Sequence, residues 1–155
     1  YHTDESKNAI GSTLPPSNFV SLTERAKDCP MFVFPVFSTR ESYYMMLSQY
    51  QSDYSVFFLT YLEDFRKDPA SAQPYLSLKF FDDLMDSKEL CLARTDHLAQ
   101  ISRHEADTLS RIMINSYIED ALYQQIKCFN KTPDDFDLEK FLNMAFEMKG
   151  EPGKP

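Results

Sequence analysis

Residues 75–81 read Tyr75-Leu76-Ser77-Leu78-Lys79-Phe80-Phe81, an alternation of apolar and polar side chains that is typical of a half-buried β-strand. The pattern places Leu76, Leu78 and Phe80 toward a core, and Ser77 and Lys79 toward water. A strand that is apolar on one side predicts a sheet with helices on one face.

Four other runs are rich in the β-branched and aromatic residues that favour strands. Pro35 lies in the first of them and favours an edge position there, because proline has no amide proton to donate to a neighbouring strand. Ser52-Asp53 separates the second and third runs, which form a predicted hairpin. The five predicted strands are residues 31–37, 43–51, 54–62, 75–81 and 90–93.

Three helices are predicted, a short one over residues 21–29 and two with clear start signals. Ser102 and Glu105 have the spacing of a capping box, in which each side chain bonds a free backbone amide. Asp137 is a good N-cap for the last helix, with Phe136 and Phe141 at the positions of a hydrophobic staple.

Residues 123–129 fit either a continuation of the middle helix or a sixth strand, and we predict a strand. The elements together predict an α+β fold, with a mainly antiparallel sheet of about five or six strands and helices packed on one side. The chain has 155 residues, which suits one domain, predicted over 19–149. Residues 1–18 and 150–155 are predicted to be flexible tails, because they are polar or rich in proline and glycine.

Composition excludes several classes of function. No glycine lies between Ser12 and Lys149, so the chain has neither a phosphate-binding glycine loop nor a hydrolase nucleophile elbow. A formal charge of -8 without a basic run argues against nucleic-acid binding. The apolar runs are too short for membrane insertion. Three cysteines in dissimilar contexts predict free thiols in a reducing compartment.

Catalytic, metal and cofactor sites have little support in the sequence. Pairing a cysteine with His97 or His104 would give a nucleophile and a base, but no flanking motif accompanies either histidine. The spacing of Cys91, His97 and His104 is not one that zinc sites use. We therefore predict no enzymatic activity, no metal and no cofactor.

Large apolar side chains occupy both faces of the predicted N-terminal strands. A sheet covered by helices on one side would leave one aromatic set exposed, unless a partner or another part of the chain covers it. A small-ligand-binding or hydrolytic domain with an aromatic-lined pocket is the alternative. The predicted partner contacts are Phe32, Phe34, Phe57, Phe58 and Tyr61.

Several short motifs lie between about Pro30 and Leu142. The most specific is Phe129-Asn130-Lys131-Thr132-Pro133-Asp134-Asp135-Phe136-Asp137. The others are Phe32-Val33-Phe34-Pro35, Gln49 followed by Phe57-Phe58-Leu59-Thr60-Tyr61-Leu62-Glu63, Lys88-Glu89-Leu90-Cys91-Leu92, and Glu105-Ala106 with Leu109. In order and spacing, these motifs resemble those of the mitochondrial ATP synthase F1 assembly factor family, the chaperones of the F1 β subunit.

The resemblance implies a non-enzymatic chaperone of the mitochondrial matrix. Such a protein would bind the unassembled β subunit of F1 and shield its interface until α subunits replace it. The import leader that this location implies is not visible before Tyr1, as expected of a mature or trimmed chain.

Overall fold

The structure is a computed structural model that describes residues 8–83 and 89–148. Within these residues, six strands form one antiparallel sheet in the order β1-β6-β5-β4-β3-β2. The strands are β1 (Ala9–Leu14), β2 (Met31–Phe37), β3 (Tyr43–Gln51), β4 (Val56–Tyr61), β5 (Pro74–Phe81) and β6 (Cys91–His97). The helices are α1 (Pro16–Asp28), α2 (Leu62–Lys67), α3 (Arg103–Ile118), α4 (Asp120–Lys131) and α5 (Leu138–Met148).

Helices α1, α3, α4 and α5 bury one face of the sheet, and this arrangement confirms the predicted α+β class. Alternate residues of the central strands face these helices, and their side chains are almost fully buried. The sheet contributes Phe57, Leu59, Leu76, Leu78 and Phe80, and the helices contribute Leu22, Leu109, Ile112, Met113, Tyr117 and Phe141. The alternation of β5 is as predicted, since its buried residues are Leu76, Leu78 and Phe80.

Residues 123–129, predicted to be a strand, instead lie in helix α4. The deciding pattern begins one residue earlier than the predicted run: Leu122, Tyr123 and Ile126 are buried together on one side of the helix. This spacing fits a 3.6-residue period, and it allows α4 to pack beside α3.

Residues 9–18, predicted to belong to a flexible tail, are ordered instead. Ala9–Leu14 pairs with β6 from Ala9↔Asp96 to Leu14↔Cys91, and Pro16 begins α1. Backbone pairing with an existing strand supplies the stabilisation that the few apolar side chains of this segment do not. The first seven residues, residues 150–155 and Lys88 of the family motif lie outside the described residues.

Both predicted helix caps form. The Ser102 side chain accepts the Glu105 N–H at 3.0 Å, and a Glu105 carboxylate oxygen accepts the Ser102 N–H at 2.9 Å. Asp137 accepts the Lys140 N–H at 3.2 Å. The rings of Phe136 and Phe141, which were predicted to form a hydrophobic staple, both pack edge-on against Phe32, at 5.5 and 4.7 Å.

Candidate functional site

The face of the sheet opposite the core, here called the open face, is largely apolar. Register places on it every residue that alternates with a core residue. Val33 and Leu47 are shielded by their neighbours, whereas Met31 and Leu92 keep 36% and 38% of their surface exposed. Single apolar residues at this level of exposure are common on protein surfaces, so a contiguous apolar groove is the more informative feature.

A groove lies beside strand β2, between helix α2 and the joint that links α4 to α5 (residues 132–137). Its lining comes from both sides of the sheet, because Tyr61 pairs with the core residue Met46, whereas Val33 lies on the open face. The groove has a volume of about 530 Å³. Two of its large side chains, Tyr43 and Leu138, are each 37% exposed. The lining residues are Val33, Tyr43, Tyr44, Met45, Tyr61, Leu62, Glu63, Arg66, Phe129, Phe136 and Leu138.

The two charged side chains that line this groove, Glu63 and Arg66, form an ion pair with each other. Arg66 Nη1 pairs with Glu63 Oε2 at 3.0 Å, one turn apart on α2. Burial raises the pKa of Tyr44 to about 12, so its hydroxyl is uncharged at physiological pH. A groove with an aromatic lining and balanced charge suits an apolar protein surface better than a charged small molecule.

The five predicted contact residues divide between the two faces. Phe32, Phe34 and Phe57 are at most 1% exposed, because α3, α4 and α5 cover them, so they present no surface to a partner. Phe58 is half-buried on the open face, paired with Gln49 and Ser77. Tyr61, at the end of β4, pairs with Met46 on the core side of the sheet, where it is partly buried and lines the groove.

Sequence reasoning missed the groove residues Tyr43 and Leu138, and it gave Phe129 and Phe136 only a structural role. Phe129 and Phe136 do support the fold, since their rings contact each other at 5.3 Å and both contact Phe32. They also line the groove. The aromatic residues close to the joint were the sequence signal that could have pointed to this groove. Only the folded chain brings the joint beside Tyr43.

Among the described residues, the cysteines and the histidine that were candidates for catalysis have the following surroundings. Burial raises the pKa of the Cys91 thiol to about 11, which disfavours the reactive thiolate. The Tyr123 hydroxyl donates a hydrogen bond to Cys29 Sγ, with 3.4 Å between oxygen and sulfur. His97 Nδ1 lies 3.1 Å from the Leu98 carbonyl oxygen. Within residues 8–83 and 89–148, no cluster of three His, Cys, Asp or Glu side chains could hold a metal ion.

The fold and this groove define the class: an α+β domain with an apolar surface groove of about 530 Å³ beside strand β2. The sequence matches the family described as ATP11 protein over residues 1–142, and the chain belongs to this family of F1 ATPase assembly factors. This membership confirms the resemblance noted in the motifs. A search of curated proteins found no match.

Family membership places this chain in the assembly of the F1 ATP synthase and implies a mitochondrial location. The family consists of assembly factors rather than known enzymes. None of the helices in the described part of the chain is long and apolar enough to cross a membrane.

Proposed function

We propose that this protein is a non-enzymatic chaperone of the mitochondrial matrix that binds the unassembled β subunit of F1 and covers its interface until α subunits replace it. The observation that carries the proposal is the apolar groove beside strand β2, with Tyr43 and Leu138 each more than a third exposed. A free subunit exposes an interface meant for a neighbour, and a complementary apolar surface prevents its aggregation.

Apolar and aromatic contacts supply most of the binding free energy in this proposal. Large side chains that are desolvated at the centre of an interface dominate affinity, while polar residues at the rim contribute less. Tyr43, Tyr61 and Leu138 have the size and placement for this role. The -8 net charge adds solubility to a protein that carries an exposed apolar surface.

Release follows from competition. The chain has no phosphate-binding glycine loop to couple binding to nucleotide hydrolysis. The α subunit binds the same surface of the β subunit and displaces the chaperone by mass action. Calorimetry with ATP and with ADP should therefore detect no micromolar binding, and such binding would contradict this part of the proposal.

Two pairs of variants test the groove against purified F1 β subunit. Leu138→Ser and Tyr43→Ser alter the groove, while Val20→Ser and Tyr54→Ser alter apolar side chains exposed to 44% and 68% elsewhere. The groove variants should weaken capture of the β subunit by about tenfold or more, since truncating an interface anchor costs about 2 kcal/mol. The controls should bind like the parent. Equal capture by all four, at equal folded fraction, would refute the groove as the binding site.

A further inference from the structure

The two edges of the sheet differ in how their backbone groups are satisfied. At the β2 edge, the Pro30 carbonyl accepts the Tyr50 N–H at 2.9 Å, so alternation turns the backbone groups of Met31, Val33 and Pro35 away from β3. These outward groups form the free edge on this side of the sheet. Without protection, they would form a template for another strand.

The β2 edge is partly protected. The Asn130 side-chain amide accepts the Met31 N–H at 3.3 Å and donates to the Met31 carbonyl at 2.7 Å, which occupies both outward groups of that residue. Pro35 has no N–H to offer. Alternation also turns Phe37 outward, so an added strand would find residues with both backbone groups available only at Val33 and Phe37, on either side of Pro35.

No strand among the described residues pairs with the outer edge of β1. The Asn8 carbonyl accepts the His97 N–H at 3.1 Å, so alternation turns Ala9, Gly11 and Thr13 outward. Arg103 Nη1 donates to the Ala9 carbonyl at 3.3 Å. Among the residues that the structure describes, the outward backbone groups of Gly11 and Thr13 have no hydrogen-bond partner.

A pocket of about 430 Å³ adjoins this open edge. Gly11 has no side chain to fill it, and Leu92 is 38% exposed beside it. Its lining residues are Gly11, Ser12, Thr13, Phe81, Asp83, Leu92, Ala93 and Arg94. A residue that pairs with Gly11 on an added strand would direct its side chain to the same face as Gly11, toward this pocket.

We propose that the free edge of β1 binds an extended segment of the client protein as a seventh strand, with one large apolar client side chain in the pocket beside Gly11. Main-chain bonds at Gly11 and Thr13 would give an affinity that depends little on sequence, and the pocket would select a segment with an apolar residue at the right position. The inference deepens the proposed chaperone function and rests on it for the identity of the client.

A second copy of this chain fits the edge less well. Antiparallel pairing of two β1 strands would bring together their outward residues Ala9, Gly11 and Thr13, whose side chains are all small. No such pairing places a large apolar side chain in the pocket. The client segment must therefore supply a residue that β1 itself lacks.

Backbone amide exchange tests this inference directly. Two probes are added to the labelled chain: purified F1 β subunit, and a synthetic heptapeptide of alternating threonine and phenylalanine with lysine at both ends. The amides of Gly11 and Thr13 should exchange about tenfold more slowly or better with either probe, as expected for hydrogen-bonded strand amides. Unchanged exchange of both amides with both probes would overturn the inference.

Thr13→Pro provides the matching variant, with Thr13→Val as its control. The Thr13 N–H points away from β6, so proline removes the outward donor without breaking a bond within the sheet. At equal folded fraction, Thr13→Pro should weaken peptide binding by about tenfold, and Thr13→Val should not. Equal peptide binding by Thr13→Pro and parent would refute the added strand. Failure of the parent to capture the β subunit would count against the chaperone function alone, because the peptide tests the edge independently.

Discussion

Phe57 and Phe58 are neighbours in β4 that lie on opposite faces of the sheet. The Phe57 ring is 1% exposed and packs 4.6 Å from the Tyr50 ring and 5.3 Å from the Tyr117 ring. Phe58 pairs with Ser77 on the open face and is half-buried. Two consecutive phenylalanines therefore have different roles: Phe57 packs in the core and Phe58 lies at the surface.

This division predicts different outcomes for the two alanine variants. Phe57→Ala should lower the free energy of unfolding by about 3 kcal/mol or more, because it leaves a cavity in a packed aromatic core. Phe58→Ala should cost clearly less and should weaken capture of the β subunit. Urea denaturation and a binding assay at equal folded fraction measure the two effects. Equal destabilisation by both variants would contradict the assignment of faces.

The cap of α5 gives a prediction about stability alone. Asp137→Ala removes the acceptor of the Lys140 N–H and should destabilise the protein by about 1 kcal/mol. Asp134→Ala is the matched control, since Asp134 is exposed and its side chain has no partner within the described residues. Thermal denaturation should separate the two variants, and identical melting temperatures would argue against the cap.

Protection of the β2 edge by Asn130 predicts an effect on both stability and aggregation. Asn130→Asp keeps the acceptor for the Met31 N–H but loses the donor to its carbonyl, and we expect a loss of about 1 kcal/mol. The variant should also aggregate faster, because the edge is less protected. Gln124→Glu, the same change on an exposed position of α4, is the control. Light scattering that rises equally in both would indicate a charge effect instead.

Alkaline pH should destabilise the fold partly through Tyr44. Burial raises its pKa from 10.0 to about 12 in the folded state. Between these values the unfolded chain releases the proton while the folded chain keeps it, so the free energy of unfolding falls as pH rises. The contribution of Tyr44 is complete below about pH 10 and is lost as pH rises toward 12.

Replacing this tyrosine tests the assignment. Tyr44→Phe should have a shallower decline of the urea midpoint over that pH interval than the parent. Its neighbour Tyr43→Phe, at an exposed position, should follow the parent. Parallel curves for all three proteins would show that Tyr44 does not contribute to the decline.

Local chemistry was enough to predict several elements. The alternation of β5, the hairpin of β3 and β4, and the starts of α3 and α5 depend on residues close together in sequence, and their signals are specific. The helical state of residues 123–129 was missed because the apolar residues of that run fit both the two-residue period of a strand and the 3.6-residue period of a helix. The β1 strand was missed because its formation depends on pairing with β6, about 80 residues away.

The sequence by itself determined the fold class, the family and the absence of phosphate-binding glycine motifs, since composition, spacing and short motifs are properties of the chain. Only the tertiary structure decided which aromatic residues are exposed. Phe32 and Phe34 became core residues because α5 packs on them, while Tyr43 and Leu138, which are 95 positions apart, came to share one groove. Alternation assigns residues to two faces, but which face the helices cover depends on long-range packing, and no local pattern specifies it.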